Sequence, residues 1–131
     1  MTKYYRTPHL VYDWKYHVIF CPKYRRNILV NGLDELVKKV FLKIAEQKDF
    51  QIIEMEVMPD HVHLLISCNP RFGIMNCIRA LKRYSAAPMR EFDPSLEHRL
   101  PSIWTRSAFI ATVGSVSLET VKAYIDSQKE Q

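Results

Sequence analysis

The sequence predicts an α+β fold, with one antiparallel sheet, helices on one of its faces and a further helix at the C-terminus. Three observations lead there. Apolar and polar residues alternate in short runs near 12–20, 53–57 and 61–68. Apolar residues recur at helical spacing in three longer segments between and after these runs. The resulting order, β-α-β-β-α-β-α, follows the split βαβ or ferredoxin-like plan. A chain of 131 residues, 47% hydrophobic and 25% charged, holds one core and has no room for a second. Residues 1–131 are therefore read as a single domain.

In the first run Tyr12, Trp14, Tyr16, Val18 and Phe20 alternate with Asp13, Lys15, His17 and Ile19, as a half-buried strand requires. Asn31 and Gly32 punctuate the chain, and Leu33, Leu36, Val37, Val40, Phe41 and Ile44 then predict a helix over about 33–48. Asp34 and Glu35 suit the positive end of that helix. Ile53, Met55 and Val57 alternate with Glu54 and Glu56, Met58-Pro59-Asp60 interrupts, and His61 to Cys68 resumes, so two strands form a hairpin. A second helix is expected from about 72 to 86, with Ile74, Ile78 and Leu81 on one face, Arg79, Lys82 and Arg83 on another, and Pro88 ending it. Residues 91–102, with their acids and prolines, read as a loop, and 103–113 as one or two strands. Gly114 breaks that run. Ser117 can cap a last helix over about 117–129, with Leu118, Val121 and Ile125 as its apolar stripe.

Charge narrows the partners. The net charge is +5, and the first thirty residues alone carry six cations against one acid. Lys23-Tyr24-Arg25-Arg26 interleaves an aromatic ring with cations, which suits a phosphate backbone with a base stacked beside it; the same segment would also serve as a plain solvated loop. Arg79, Lys82 and Arg83 form a second basic set. No apolar run approaches the roughly 18 residues of a membrane span, and the start MTKYYRTPH has no secretory apolar stretch, so the chain is expected in the cytoplasm without a membrane partner. Cys21, Cys68 and Cys77 include no C-x-x-C pair and read as reduced, packed thiols.

The sharpest local feature is His61-Val62-His63. In a strand, residues i and i+2 face the same way, so both imidazoles converge while Val62, Leu64 and Ile66 face the helices. Neutral imidazole suits Mn, Zn, Fe or Ni better than hard Mg, although such a pair is more often an ordinary hydrogen-bonded feature than a ligand pair. On the last helix Tyr124 and Gln128, four residues apart, share one face. A phenol is a poor nucleophile at neutral pH unless a metal or base helps remove its proton, so Tyr124 gains significance from the histidines. Without them it reads as a residue at the core edge and Gln128 as a solvated amide. His9, His17 and His98 read as surface or packing residues.

Together, the His-hydrophobic-His strand, the Lys-Tyr-Arg-Arg loop after the first strand and Tyr124-Ile125-Asp126-Ser127-Gln128 resemble the single-tyrosine HUH transposases of the smallest bacterial and archaeal insertion sequences. The resemblance runs along essentially the whole chain, including Met58-Pro59-Asp60-His61-Val62-His63-Leu64-Leu65, Trp104 and Thr112-Val113-Gly114. It implies a ferredoxin-like, RNA-recognition-type sheet, a C-terminal catalytic helix and a homodimer. It also implies Mg²⁺ or Mn²⁺ at His61, His63 and Gln128, and Tyr124 as the nucleophile that cuts single-stranded DNA through a 5′-phosphotyrosine link. The substrate implied is a single strand with hairpin ends, for which Lys23, Tyr24, Arg25, Arg26, Arg79, Lys82 and Arg83 are the candidate contacts. In the family the tyrosine helix of one subunit can complete the partner's site, with the segment around Gly114 as hinge. A non-enzymatic hairpin-binding protein, using the basic loop and sheet aromatics such as Tyr16, is the alternative reading.

Overall fold

Val18 and Phe20 point to one side of their strand and Ile19 to the other, yet all three are fully buried, so this strand is covered on both faces. It is the third of six strands in the computed structural model, which describes residues 5–7, 10–12, 14–113 and 118–130. In chain order the strands are β1 (Tyr5–Thr7), β2 (Leu10–Tyr12), β3 (Lys15–Phe20), β4 (Gln51–Met58), β5 (His61–Ser67) and β6 (Phe109–Thr112). The helices are α1 (Leu33–Lys48), α2 (Ile74–Phe92), α3 (Leu96–Arg99) and α4 (Leu118–Ser127). The main sheet has the order β4-β5-β3-β6 with every neighbouring pair antiparallel, while β1 and β2 pair separately. Gly114 and Ser117, the expected hinge and cap, lie outside the described residues, as does His9.

The core lies between the sheet and the α1–α2 layer. Val62, Leu64 and Ile66 from β5 meet Val37, Phe41 and Ile44 from α1 and Cys77, Ile78 and Leu81 from α2, all buried in one cluster. Phe20 sits at its centre, its ring edge-on to Trp104 at 5.0 Å and tilted against Phe41 at 6.0 Å. The Trp104 indole donates to Ser85 Oγ at 2.9 Å, so this buried N–H is paired. The α+β sandwich predicted from the periodicity is the one observed.

The structure corrects the expectation in three places and narrows it in a fourth. Pro88 does not end α2, which continues to Phe92, because Met89 beyond it is completely buried and its packing outweighs the missing backbone bond. The expected loop at 91–102 contains α3, which buries Leu96 and places buried Leu100 just beyond its end. Asp93 Oδ1 starts it by accepting from Ser95 N and Oγ. Residues 103–113, read as one or two strands, hold one, Phe109–Thr112, and Trp104 makes an isolated bridge to Pro22. Tyr16 packs against the helix-side core, so it is not an exposed platform on the open face.

Candidate active site

His61, His63 and Leu65 project from the face of β5 that turns away from α1 and α2, since the alternate residues Val62, Leu64 and Ile66 are buried in the core. The neighbouring strands set what surrounds them. Antiparallel pairing places Glu56 and Ile19 opposite His63, and Met58 opposite His61. His61 Nδ1 lies 2.8 Å from Asp60 Oδ1. A carboxylate only accepts, so Nδ1 carries a proton and Nε2 is the ring nitrogen left to face a ligand.

His63 Nε2 lies 3.2 Å from His17 Nδ1, with the two rings 5.3 Å apart. Burial, then the neighbouring His17, holds His63 below the ordinary imidazole value, partly offset by Glu56. His63 is accordingly neutral at pH 7, the form that donates a lone pair. His17 is the residue that sequence reasoning passed over. Its signal lies in strand alternation: with Val18 and Phe20 on the core side, His17 must share the face of the histidine pair once β3 and β5 are neighbours.

Tyr124 comes to the same side of the sheet on α4. Its ring packs on Phe109 at 5.7 Å, and Phe109 stands opposite Ile19 in the ladder. Its hydroxyl lies 3.2 Å from Ser107 Oγ, and Ser107 Oγ donates to Gln128 Oε1 at 2.9 Å. Ser107 has one proton, which both the Gln128 oxygen and the Tyr124 oxygen can accept. Gln128, one turn beyond Tyr124 in the 3-10 turn Gln128–Glu130, is 1% exposed, and its Nε2 donates to Ser127 Oγ at 3.2 Å. Burial pushes the Tyr124 phenol above its ordinary value, and the Ser107 hydroxyl pulls it part of the way back.

The basic loop forms the 3-10 turn Lys23–Arg25 and does not behave as one uniform surface. Tyr24 and Arg25 both adopt positive φ, 58° and 50°, a conformation that is costly for residues with side chains. Tyr24 and Arg26 are exposed, and the Lys23 ammonium lies 5.4 Å from the Tyr24 ring centroid. Arg26 lines a cavity of about 240 Å³ with Arg99 and Leu100. Arg25 turns inward: Nε contacts Asp60 Oδ2 at 3.1 Å, and Nη1 donates to Asp126 Oδ1 and to the Ile125 carbonyl, each at 3.1 Å. Lys82 also turns inward, donating to the carbonyls of Thr105 at 2.8 Å and Ser107 at 2.9 Å, and burial pushes its ammonium down to about 8. Arg79, bonded to Asn76, and Arg83, beside the Tyr84 ring, are exposed on α2, across the sheet from the histidines.

The structure thus gathers His61, His63, Tyr124 and Gln128 on one side of the sheet and separates Arg79 and Arg83 from them. Among the described residues no three His, Cys, Asp or Glu side chains gather to hold a metal. A cation here would take the two imidazoles and the Gln128 amide oxygen, a mixed nitrogen and oxygen set whose chemistry fits a divalent ion such as Mn²⁺.

Comparison with known proteins identifies the family. Residues 10–128 match the family described as "Transposase IS200 like". The chain is 39% identical to the ISDra2 transposase TnpA of Deinococcus radiodurans over 123 residues, 92% of this chain and 88% of that one. It is 30% identical to the transposase for insertion sequence element IS200 of Salmonella typhimurium over 125 residues, 94% of this chain and 82% of that one. A crystal structure of a Deinococcus radiodurans R1 protein described as a transposase superposes with a TM-score of 0.86 at 32% identity, covering 97% of this chain and 99% of the other. A REP-associated tyrosine transposase bound to a REP hairpin shares the fold at a TM-score of 0.57 and 15% identity, over 96% and 69% of the two chains. The family match spans β3, the histidine strand and the tyrosine helix alike, and the chain belongs to the IS200-like transposase family.

Proposed function

We propose that this transposase cuts and rejoins single-stranded DNA at the ends of its insertion sequence with Tyr124 as the nucleophile. One observation carries the reading: Tyr124 and Gln128 are joined through Ser107 on the sheet side where His61 and His63 project. The Tyr124 oxygen attacks a backbone phosphorus, the bond from phosphorus to the 3′ oxygen breaks, and the 5′ phosphate stays on the tyrosine. The proton lost by the phenol ends on the released 3′ oxygen. Rejoining is the reverse, attack of a 3′-hydroxyl on the phosphotyrosine, so one phosphodiester is exchanged for another without ATP.

The protein's own groups prepare that exchange. Phe109 and Ser107 orient the phenol, and Asp60 fixes the His61 ring and its tautomer. His61, His63 and Gln128 would hold Mg²⁺ or Mn²⁺, which would supply Lewis-acid stabilisation of charge on the phosphoryl oxygens. Tyr24 and Arg26 are exposed and Lys23 is half-buried on the loop beside this site, and together they suit a phosphate backbone and an unpaired base. The likeness to a transposase solved with a REP hairpin supports a hairpin as the folded part of the substrate. Arg79 and Arg83 on α2 serve a more distant part of the DNA, and Lys82 acts indirectly by holding the Ser107 segment. A homodimer in which α4 can also serve the partner's site completes the reading.

The test is a labelled single-stranded hairpin from the element's end, incubated with Mn²⁺ or Mg²⁺ and run on a denaturing gel. A slow band in wild type that is absent in Tyr124→Phe is the expected outcome. Tight binding without a covalent product would turn the assignment to a hairpin-binding protein.

A further inference from the structure

The sequence places Arg25 among four loop residues facing DNA, but the structure gives it protein partners in the turn between β4 and β5 and on α4. Its Nε contacts Asp60 Oδ2, and the other oxygen of that carboxylate holds His61. Its Nη1 reaches Asp126 and the Ile125 carbonyl, in the turn of α4 that carries Tyr124. One planar guanidinium therefore joins the carboxylate that orients a histidine to the helix that carries the nucleophile. The left-handed backbone at Tyr24 and Arg25 belongs to this arrangement, because such strain persists only where the surroundings over-determine it.

We propose that Arg25 is a positioning residue that docks the tyrosine helix against the histidine strand and acts as its release latch. The inference rests on the assignment of Tyr124 and His61 above. The two ends of the latch differ in strength. Asp60 is mostly buried, with 23% of its side chain exposed, whereas Asp126 is 73% exposed and its charge is screened by solvent. The α4 end opens first, while Arg25 keeps its hold on Asp60. A helix released this way leaves the histidine geometry of its own subunit intact and ready for another tyrosine helix.

Full-length Asp126→Asn removes the helix-side charge at an exposed position, and Arg25→Lys removes the fork, since one ammonium cannot bridge both carboxylates in the same geometry. Hydrogen exchange of the α4 amides should quicken about three- to tenfold in both variants. Single-turnover adduct formation should slow by about the same factor with hairpin affinity unchanged in Asp126→Asn, a split that a general loss of fold would not produce. In mixtures with Tyr124→Phe chains, a His63→Ala chain also carrying Asp126→Asn should form more adduct than His63→Ala alone, because its helix is freer to cross. Unchanged α4 exchange in both variants would overturn the latch. If wild type forms no adduct, the transferase assignment fails, and hydrogen exchange alone then decides on the latch.

Discussion

Ser107 has one hydroxyl proton and two claimants, the Gln128 amide oxygen and the Tyr124 oxygen. When Tyr124 ionises, its phenolate needs a donor, and the Ser107 bond is the interaction that lowers the Tyr124 value against burial. Ser107→Ala should therefore raise the phenol further, reduce the phenolate fraction at any given pH and move the alkaline limb of adduct formation to higher pH. A pH–rate profile matching wild type would exclude the role. Lys82 makes a prediction of its own. Its folded value is lowered from 10.5 to about 8, so the unfolded chain binds more protons between those limits. The stability of wild type relative to Lys82→Met should then rise between pH 8 and 10.5, read from urea midpoints at the two ends of that window. Phe20, fully buried against Trp104 and Phe41, should cost about 3–5 kcal/mol when cut to Ala, visible as a lowered urea midpoint.

Among the elements, α2 shows where local rules yield to packing. Pro88 cannot bond the Tyr84 carbonyl one turn back, so Pro88→Ala should stabilise the protein by about 1–3 kcal/mol if Met89 keeps its place, measured by thermal unfolding. Gly32 is the opposite case. Its φ is +96°, and an added Cβ would lie 3.1 Å from the Phe92 ring at the far end of α2. Gly32→Ala should cost about 1–2 kcal/mol. The same contrast explains what could be read in advance. Periodicity located β3, β4, β5, α1 and the Tyr124–Gln128 pair, because burial on one face imposes a pattern that survives in sequence. It missed the end of α2, where the penalty at Pro88 is local but the reward at Met89 is tertiary. It also missed His17, whose meaning depends on β3 lying beside β5, and the inward turn of Arg25 and Lys82, whose partners Asp126 and Thr105 lie 101 and 23 residues away.

At the scale of the whole molecule, binding and chemistry separate. Lys23→Ala and Arg26→Ala should each weaken hairpin binding and reduce the slope of log K against log salt by about one, as loss of one phosphate contact requires. An unchanged slope would exclude phosphate contact there. Mixing His63→Ala with Tyr124→Phe chains should restore part of the adduct if a helix can serve a neighbouring sheet, and no recovery would confine each site to one subunit.

Ile19 bears on that exchange. It lies on the site side of the sheet, between His63 and Phe109 in the ladder, and has no exposed surface. Lifting α4 away would wet the face of Phe109 that Tyr124 covers, next to this aliphatic side chain. Such an uncovered state is disfavoured in a lone subunit but costs little when a second helix arrives as the first departs. If α4 serves a second copy as proposed, departure and arrival would be a single concerted trade between the two, and a strand cut by one tyrosine would not be left beside a bare, water-filled sheet.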